Sequence, residues 1–472
     1  MTKKLHIIRI LPSLHRSASI AFMCAFVLSF ASAQEDSPSA DAPKTPPRYL
    51  VAAGEIIGNN ALVNLFDRLT EGQETWANDT LGSWWTTLQG PWHFDQDPWM
   101  INEIEHPIEG AFYFTTGRSN GLGFWESAAG TALGELMWKL FGELDDPNIN
   151  DMVTTTLSGM VLGEMFHRLY IEAERQGSAA RFFISPMDAG NDAVFGKGSW
   201  DKGISEPSRV SLSLQAGFVA PYIDPDAARG ISPGFDGITG EVGEALVYGD
   251  PFGEHSAPFD WFEQRLSLEL SSSLWGIAFF SSGTLFAIPL VDTRRSQLSL
   301  ASCLHYDFIY NSLVELEANA VGLSILGERN TEKGFHFSGE LHLNAIVLGT
   351  NENVYLREFN GIQSIFEEGR DYDFNFGEGA KVHLGVSRQG LGSLSLDYAL
   401  YGMNAIPEAT IAAAPFDYAI IGVLDVSYEH MIAAHLAIGS AYTLYHKNAF
   451  YDSLPSVCEY MQAVTVYVKL TP

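Results

Sequence analysis

The sequence predicts a mainly β chain with an α-helical N-terminal part: an antiparallel transmembrane β-barrel of about twelve strands, with a helical hairpin as plug or periplasmic cap. Three observations carry this. After residue 208 apolar and polar residues alternate with period two. Before it, apolar residues recur at helical spacing. The first 33 residues have the make-up of an export signal. Period two puts successive side chains on opposite faces of a strand, whereas helical spacing gathers them on one side of a cylinder.

Residues 1–33 divide as signal peptides do. Lys3, Lys4, Arg9 and Arg16 supply the positive region, and Ile20 to Phe30 the apolar one. Ala31, Ser32 and Ala33 fit the small-residue cleavage rule. The apolar run is too short to span a bilayer. Cys24 raises a lipoprotein reading, but Phe22 and Met23 are bulky for a lipobox. The mature chain is then 34–472, 439 residues. Residues 34–47 are polar and Pro-rich, the composition of a disordered tether.

The mature chain carries 23 basic and 57 acidic residues, a net charge of −34. That excess argues against nucleic acid and anionic headgroups as main partners. It fits solvated acidic loops, with cation binding as the sharper alternative. Cys303 and Cys458 stand 155 residues apart and make no disulfide framework, so free thiols are expected.

Residues 48–200 are expected to form a helical domain. The spacing predicts helices over 48–69, 121–142 and 150–173. Pro147 and Asn148 interrupt the last two, and the short joint makes them an antiparallel hairpin. Ser127, Thr131 and Gly134 on one helix, and Thr155, Gly159 and Gly163 on the other, form small-residue stripes expected to bring these two helices' backbones close to each other.

The barrel is expected over 208–472. Its strands fall near 209–220, 243–250, 261–273, 274–289, 296–310, 312–326, 334–348, 371–387, 391–403, 416–430, 433–447 and 459–471. In 334–348, Phe337, Leu341 and Leu343 oppose His336, Ser338, Glu340, His342 and Asn344. Strands of 12–15 residues are long for soluble proteins and suit tilted bilayer strands. A soluble sandwich would turn the apolar faces inward. A membrane barrel turns them to lipid and the polar faces to the lumen. Two features favour the barrel. Tyr418 and Tyr428 bracket an apolar stretch as an interfacial girdle does. The polar faces also carry Arg265, Glu269, Glu315, Glu317, Lys381, Arg388, Asp397 and Asp425, which a wet lumen tolerates. The final strand alternates correctly, with Tyr460, Val464, Val466, Val468 and Leu470 outward, but lacks the terminal aromatic common in such barrels.

Residues of about 91–190 carry a set of landmarks. They are Trp92 with Asp95 and Asp97, Asn102, His106–Pro107, Gly110, Tyr113, Arg118 to Gly121, Phe124 to Ser127, Trp138, Asn148 to Asp151 and Gly159 to Glu164. On these the segment resembles an uncharacterised bacterial family, domain of unknown function 3943. Glu135 and Lys139 depart from the family's usual pattern around Trp138. The resemblance implies a cell-envelope protein of Gram-negative-type bacteria and supplies no reaction.

Three constellations are chemically readable. Glu126, Glu135, Glu164, His167 and Arg168 lie on otherwise apolar helices, so each is expected to meet water, one another, or lumen cations such as Arg265, Lys381 and Arg388. A catalytic set takes His106 as base, Ser119 or Ser127 as nucleophile and Glu126 as orienter. No G-x-S-x-G elbow frames either serine. Ser119 and Asn120 suit the cap of the next helix, and His106 before Pro107 suits a turn. A metal set uses His93, Asp95 and Asp97. His305, His336, His342 and His383 are expected as hydrated lumen lining.

The leading expectation is therefore a non-enzymatic outer-membrane barrel, structural or transport-related, with helices occluding or capping it. No cofactor is expected. Its expected partners are outer-membrane lipid and the barrel assembly machinery, with any small-molecule substrate unspecified. The alternatives are a lipid-acting hydrolase using His106 and a serine, and surface adhesion through acidic loops.

Overall fold

A computed structural model describes residues 45–70, 80–144, 146–198, 208–223, 237–253, 255, 257–271, 275–311, 314–352, 372–406, 417–451 and 456–471. The expected signal and most of the expected tether, with Cys24, lie outside these residues. The chain divides into two compact units, Met1–Ser205 and Glu206–Pro472.

The first unit is helical. Its helices among the described residues are α1 (Tyr49–Thr70), α2 (Leu81–Thr87), α3 (His106–Ser119), α4 (Phe124–Phe141), α5 (Ile149–Arg175), α6 (Arg181–Ile184) and α7 (Pro186–Phe195). A π-helical turn, Ile101–Glu105, runs directly into α3. His106 and Pro107 are therefore helical, not a turn. Pro107 removes a ladder donor and crowds the preceding carbonyls. The widened turn sits just before it, where it makes room. Gly121, at φ +83°, closes α3 in the left-handed region that favours glycine. Asn120 thus caps the end of α3 and does not start the next helix. The N-cap of α4 is Gly123, whose N–H donates to Glu126 Oε2 at 2.8 Å.

The second unit is a closed antiparallel barrel of twelve strands. They are β1 (Ser208–Ile223), β2 (Gly237–Tyr248), β3 (Phe262–Ser271), β4 (Trp275–Thr293), β5 (Ser296–Asn311), β6 (Glu315–Asn330), β7 (Phe335–Glu352), β8 (Tyr372–Arg388), β9 (Gly392–Ala405), β10 (Asp417–Ala433), β11 (Leu436–Tyr451) and β12 (Val457–Leu470). Each pairs with its sequence neighbours, and β1 pairs with β12 to close the cylinder. All twelve expected strands are present. The largest boundary difference is at β2, which begins at Gly237 because Gly240 and Gly243 hid its first half from the alternation. One end carries the connections 249–261, 294–295, 331–334, 389–391 and 434–435, all but the first tight, while the other carries 224–236, 272–274, 312–314, 353–371, 406–416 and 452–456, three of them long.

The outer face is apolar: Leu214, Ile238, Leu323, Leu343, Leu384 and Val466 are each more than half exposed. The inner face has two tiers. Towards the tight-turn end it is polar. Towards the long-connection end, Ile309, Leu316, Ala318, Ile346, Met403 and Ile421 pack into one apolar cluster. Register corrects three expected lumen residues. Asp307, which reaches across the lumen, pairs with Ala318, so Phe308 and its partner Glu317 share the opposite face. Glu315, paired with Tyr310, lies on that face too. Arg388 stacks over Phe335 at 4.9 Å at a strand end, on the face opposite His383.

Candidate functional site

In the helical unit the small residues bring backbones together, with α3 at the centre. A Cβ on Gly110 would lie 2.0 Å from the Thr155 carbonyl oxygen, and one on Gly159 would lie 2.6 Å from the Gly110 backbone. Gly163 faces Phe114, Gly134 faces Tyr113, and Ser127 faces Gly117. The expected stripes on α4 and α5 thus each meet α3, the helix that the sequence pattern concealed behind His106–Pro107.

Close packing encloses a charged core. Lys139, 1% exposed, places Nζ 2.6 Å from Asp151, 2.9 Å from Glu143 and 3.9 Å from Glu135. His106 bridges Asp151 at 3.5 Å and Glu109 at 3.4 Å. Asn148 and Asn150 donate to Asp151 at 3.1 and 2.7 Å. Burial raises the Asp151 carboxyl, but His106 and Lys139 outweigh it and hold it at about 2. Burial wins at Glu135, pushed up to about 8 against the pull of Lys139, and at Glu143, pushed up to about 7. Burial lowers His106 and Lys139, yet their carboxylate neighbours raise both well above the ordinary range. The site stores more carboxyl groups than its cations neutralise, so it holds protons at neutral pH.

A second buried knot joins Glu164 to Arg118 and Arg168, each at 2.8 Å. The two guanidiniums outweigh burial and keep the Glu164 carboxyl below its usual range. His167 bonds Asp188 at 2.8 Å, and Ser185 donates to the same carboxylate at 2.6 Å. Of the five polar residues singled out from the sequence, Glu164 and Arg168 pair with each other, four residues apart on one helix, while Glu126, Glu135 and His167 each have separate partners. Glu126 is exposed and accepts from Tyr49 Oη at 2.9 Å. The partners of Glu126, Glu135 and Glu164 named here all belong to the helical unit, while Arg265 and Lys381 pair with barrel carboxylates.

The catalytic set does not converge. His106 and Ser119 open and close the same helix, about 20 Å apart at ~1.5 Å per residue. Ser119 Oγ donates to the Thr116 carbonyl at 3.1 Å and accepts from Asn191 at 2.8 Å. Nor does the metal set gather: His93 and Asp97 are exposed, while Asp95 is buried and held by Asn102 at 2.7 Å and Asn148 at 3.1 Å. Burial, then Asp151, pushes the Asp95 carboxyl up to about 7. His106, Glu135 and Asp151 do bring potential ligand atoms within 4.8 Å of one another, but the Lys139 ammonium already bonds Asp151 there. The residues missed from the sequence, Glu109, Glu143 and Asp151, had a faint signal: Glu135, Lys139 and Glu143 repeat at four-residue intervals.

In the barrel, a cavity of about 510 Å³ occupies the lumen. Each Lys or Arg side chain on its wall is paired: Arg265 with Asp397 at 2.6 Å, Lys381 with Asp307 at 2.6 Å, and Lys469 with Glu429 at 2.9 Å. Glu241, Glu263, Glu269, Glu340 and Asp425 also line it. Neutral groups contact three of these: Gln215 meets Glu241, Thr239 meets Glu269 and Thr443 meets Asp425. The cavity is thus negative in balance. Its far wall, with Ile309, Val314, Phe280, Val423 and Met461, is apolar.

Twelve antiparallel strands closed on themselves, apolar outside and charged within, define a barrel of the outer-membrane type. Residues 91–187 match the family described as a domain of unknown function (DUF3943). No curated protein matches the chain. Among solved structures, the Ralstonia pickettii toluene transporter TbuX is similar at 11% identity over 57% of this chain and 90% of that one, with a TM-score of 0.26. The TodX monoaromatic hydrocarbon channel deltaS2 mutant is similar at 7% identity, over 56% and 90%, with a TM-score of 0.26. The KdgM porin is similar at 8% identity, over 55% and 98%, with a TM-score of 0.22. The barrel assignment stands on the twelve-strand closure itself.

Proposed function

We propose that this chain is an exported outer-membrane protein with a transport-related role, giving small cationic solutes a narrow path through the barrel. The carrying observation is the lumen cavity, where the cations are paired and further carboxylates, Glu241, Glu263, Glu269, Glu340 and Asp425 among them, stand in excess. Fixed negative charge in a low-dielectric passage concentrates cations and repels anions. The apolar outer face supports residence in lipid. The export signal read in residues 1–33 agrees with that destination.

The test is planar-bilayer recording of the full mature chain under a potassium chloride gradient. Small conductance with a reversal potential on the cation side is expected. Glu340→Gln together with Glu263→Gln should move that potential towards zero. Anion preference, or no conductance over a range of voltages, would refute the proposal.

A further inference from the structure

Arg265 and Asp397 are 132 residues apart in sequence and meet at 2.6 Å. They lie on β3 and β9, which are six strands apart in either direction around the closed sheet. The pair therefore crosses the full bore. A round barrel of twelve strands, spaced ~4.8 Å and tilted ~40°, has a diameter of roughly 24 Å. An extended Arg, a 2.6 Å contact and an Asp span only about 13 Å between Cα atoms. The wall must be drawn in at this level to about half its relaxed width. Other cross-lumen contacts lie further towards the long-connection end. Lys381 on β8 reaches Asp307 on β5, and Tyr401 on β9 donates to Asp307 at 3.0 Å. The apolar cluster containing Met403 and Ile421 gathers side chains from facing walls at the same end. His383 steadies the tie by bonding Asp397 at 2.8 Å, while Glu263 and Glu340, facing each other beside His342, line the same cavity.

We infer that the Arg265–Asp397 pair is a constricting tie: by drawing β3 towards β9 it flattens the barrel, packs the apolar cluster, and narrows the path while it is made. This deepens the transport proposal and rests on it for its physiological meaning. The flattening itself does not depend on that proposal.

The experiment uses the full mature chain carrying Cys458→Ser, with a reporter thiol at Ile421→Cys inside the apolar cluster. Conductance and the rate of reporter modification by a small cationic methanethiosulfonate are both measured. The parent is compared with Arg265→Ala, Asp397→Ala, and the exchange Arg265→Asp with Asp397→Arg. Each single change is expected to raise conductance at least threefold and reporter modification at least tenfold, and the exchange to restore both. If the parent conducts and neither readout moves, or the exchange fails to restore them, the tie is refuted while the transport proposal survives. If nothing conducts but the reporter responds and is restored, the transport proposal fails and the tie stands. Silence in both readouts refutes both.

Discussion

Glu135→Gln should make the helical unit less sensitive to alkali. The Glu135 carboxyl is fully buried and is pushed up to about 8 from an ordinary 4.5. A carboxyl raised in the folded state favours its protonated form there. Its contribution is complete below about 4.5 and is lost as pH rises to about 8. The full shift corresponds to about 5 kcal/mol at ~1.4 kcal/mol per unit. Coupling to Lys139, His106, Glu109, Asp151, Glu143 and Tyr113 reduces what one substitution reports, so about 2 kcal/mol or more is the expected gain over wild type at pH 8. At pH 4.5 the amide replaces a protonated acid of nearly the same shape, and the difference should fall within about 1 kcal/mol. Lys139 keeps Asp151 and Glu143, so its charge remains answered. Asp151, held at about 2, contributes no slope in this window. Glu143 and Asp95, both raised to about 7, leave the variant with a residual slope of the same sign. The assay is urea unfolding of the full chain in detergent, followed by helical ellipticity at several pH values. Parallel pH profiles for the two proteins, or a variant less stable at pH 8, would refute the reasoning.

Further outcomes follow from the packing. Gly110→Val should cost about 3 kcal/mol or more, because its Cβ would enter the Thr155 carbonyl. Gly54→Ala, with open space around it, should be neutral or gain up to ~1 kcal/mol. Equal urea midpoints for these two would contradict the packing. Glu164→Gln leaves Arg118 and Arg168 facing each other in a buried site and should cost about 3–5 kcal/mol by the same unfolding assay. Cys458 is exposed and Cys303 buried. One equivalent of maleimide should therefore label the folded chain 34–472 in detergent and two the same chain unfolded, as counted by intact mass.

The barrel was legible because period two survives in nearly every strand. What misled was the assumption that every apolar residue on a strand faces lipid. At the long-connection end the inner face itself turns apolar, with Leu316 and Ala318 on it, while Glu317 lies on the opposite face. Alternation alone does not say which face is inside where the lumen wall is apolar. In the helical unit, Pro107 is a strong local stop signal, and only the widened turn before it lets α3 run through. With α3 hidden, the stripes on α4 and α5 had only each other as visible partners. The ionic core was unreadable for the same reason, since His106 and Glu109 sit on α3.

The cross-lumen tie also bears on how the barrel is made and lost. Neighbouring strands pair in sequence order and can zip up along the chain. Arg265 and Asp397 cannot meet until the intervening strands have formed and curved towards one another. Such a contact contributes little to the rate of assembly, because it is absent until late. It acts chiefly on the reverse path, where a contact made after the rate-limiting step slows departure from the finished state. The lumen of this protein is, in that sense, a latch fastened from inside, setting the lifetime of the barrel more than the speed of its birth.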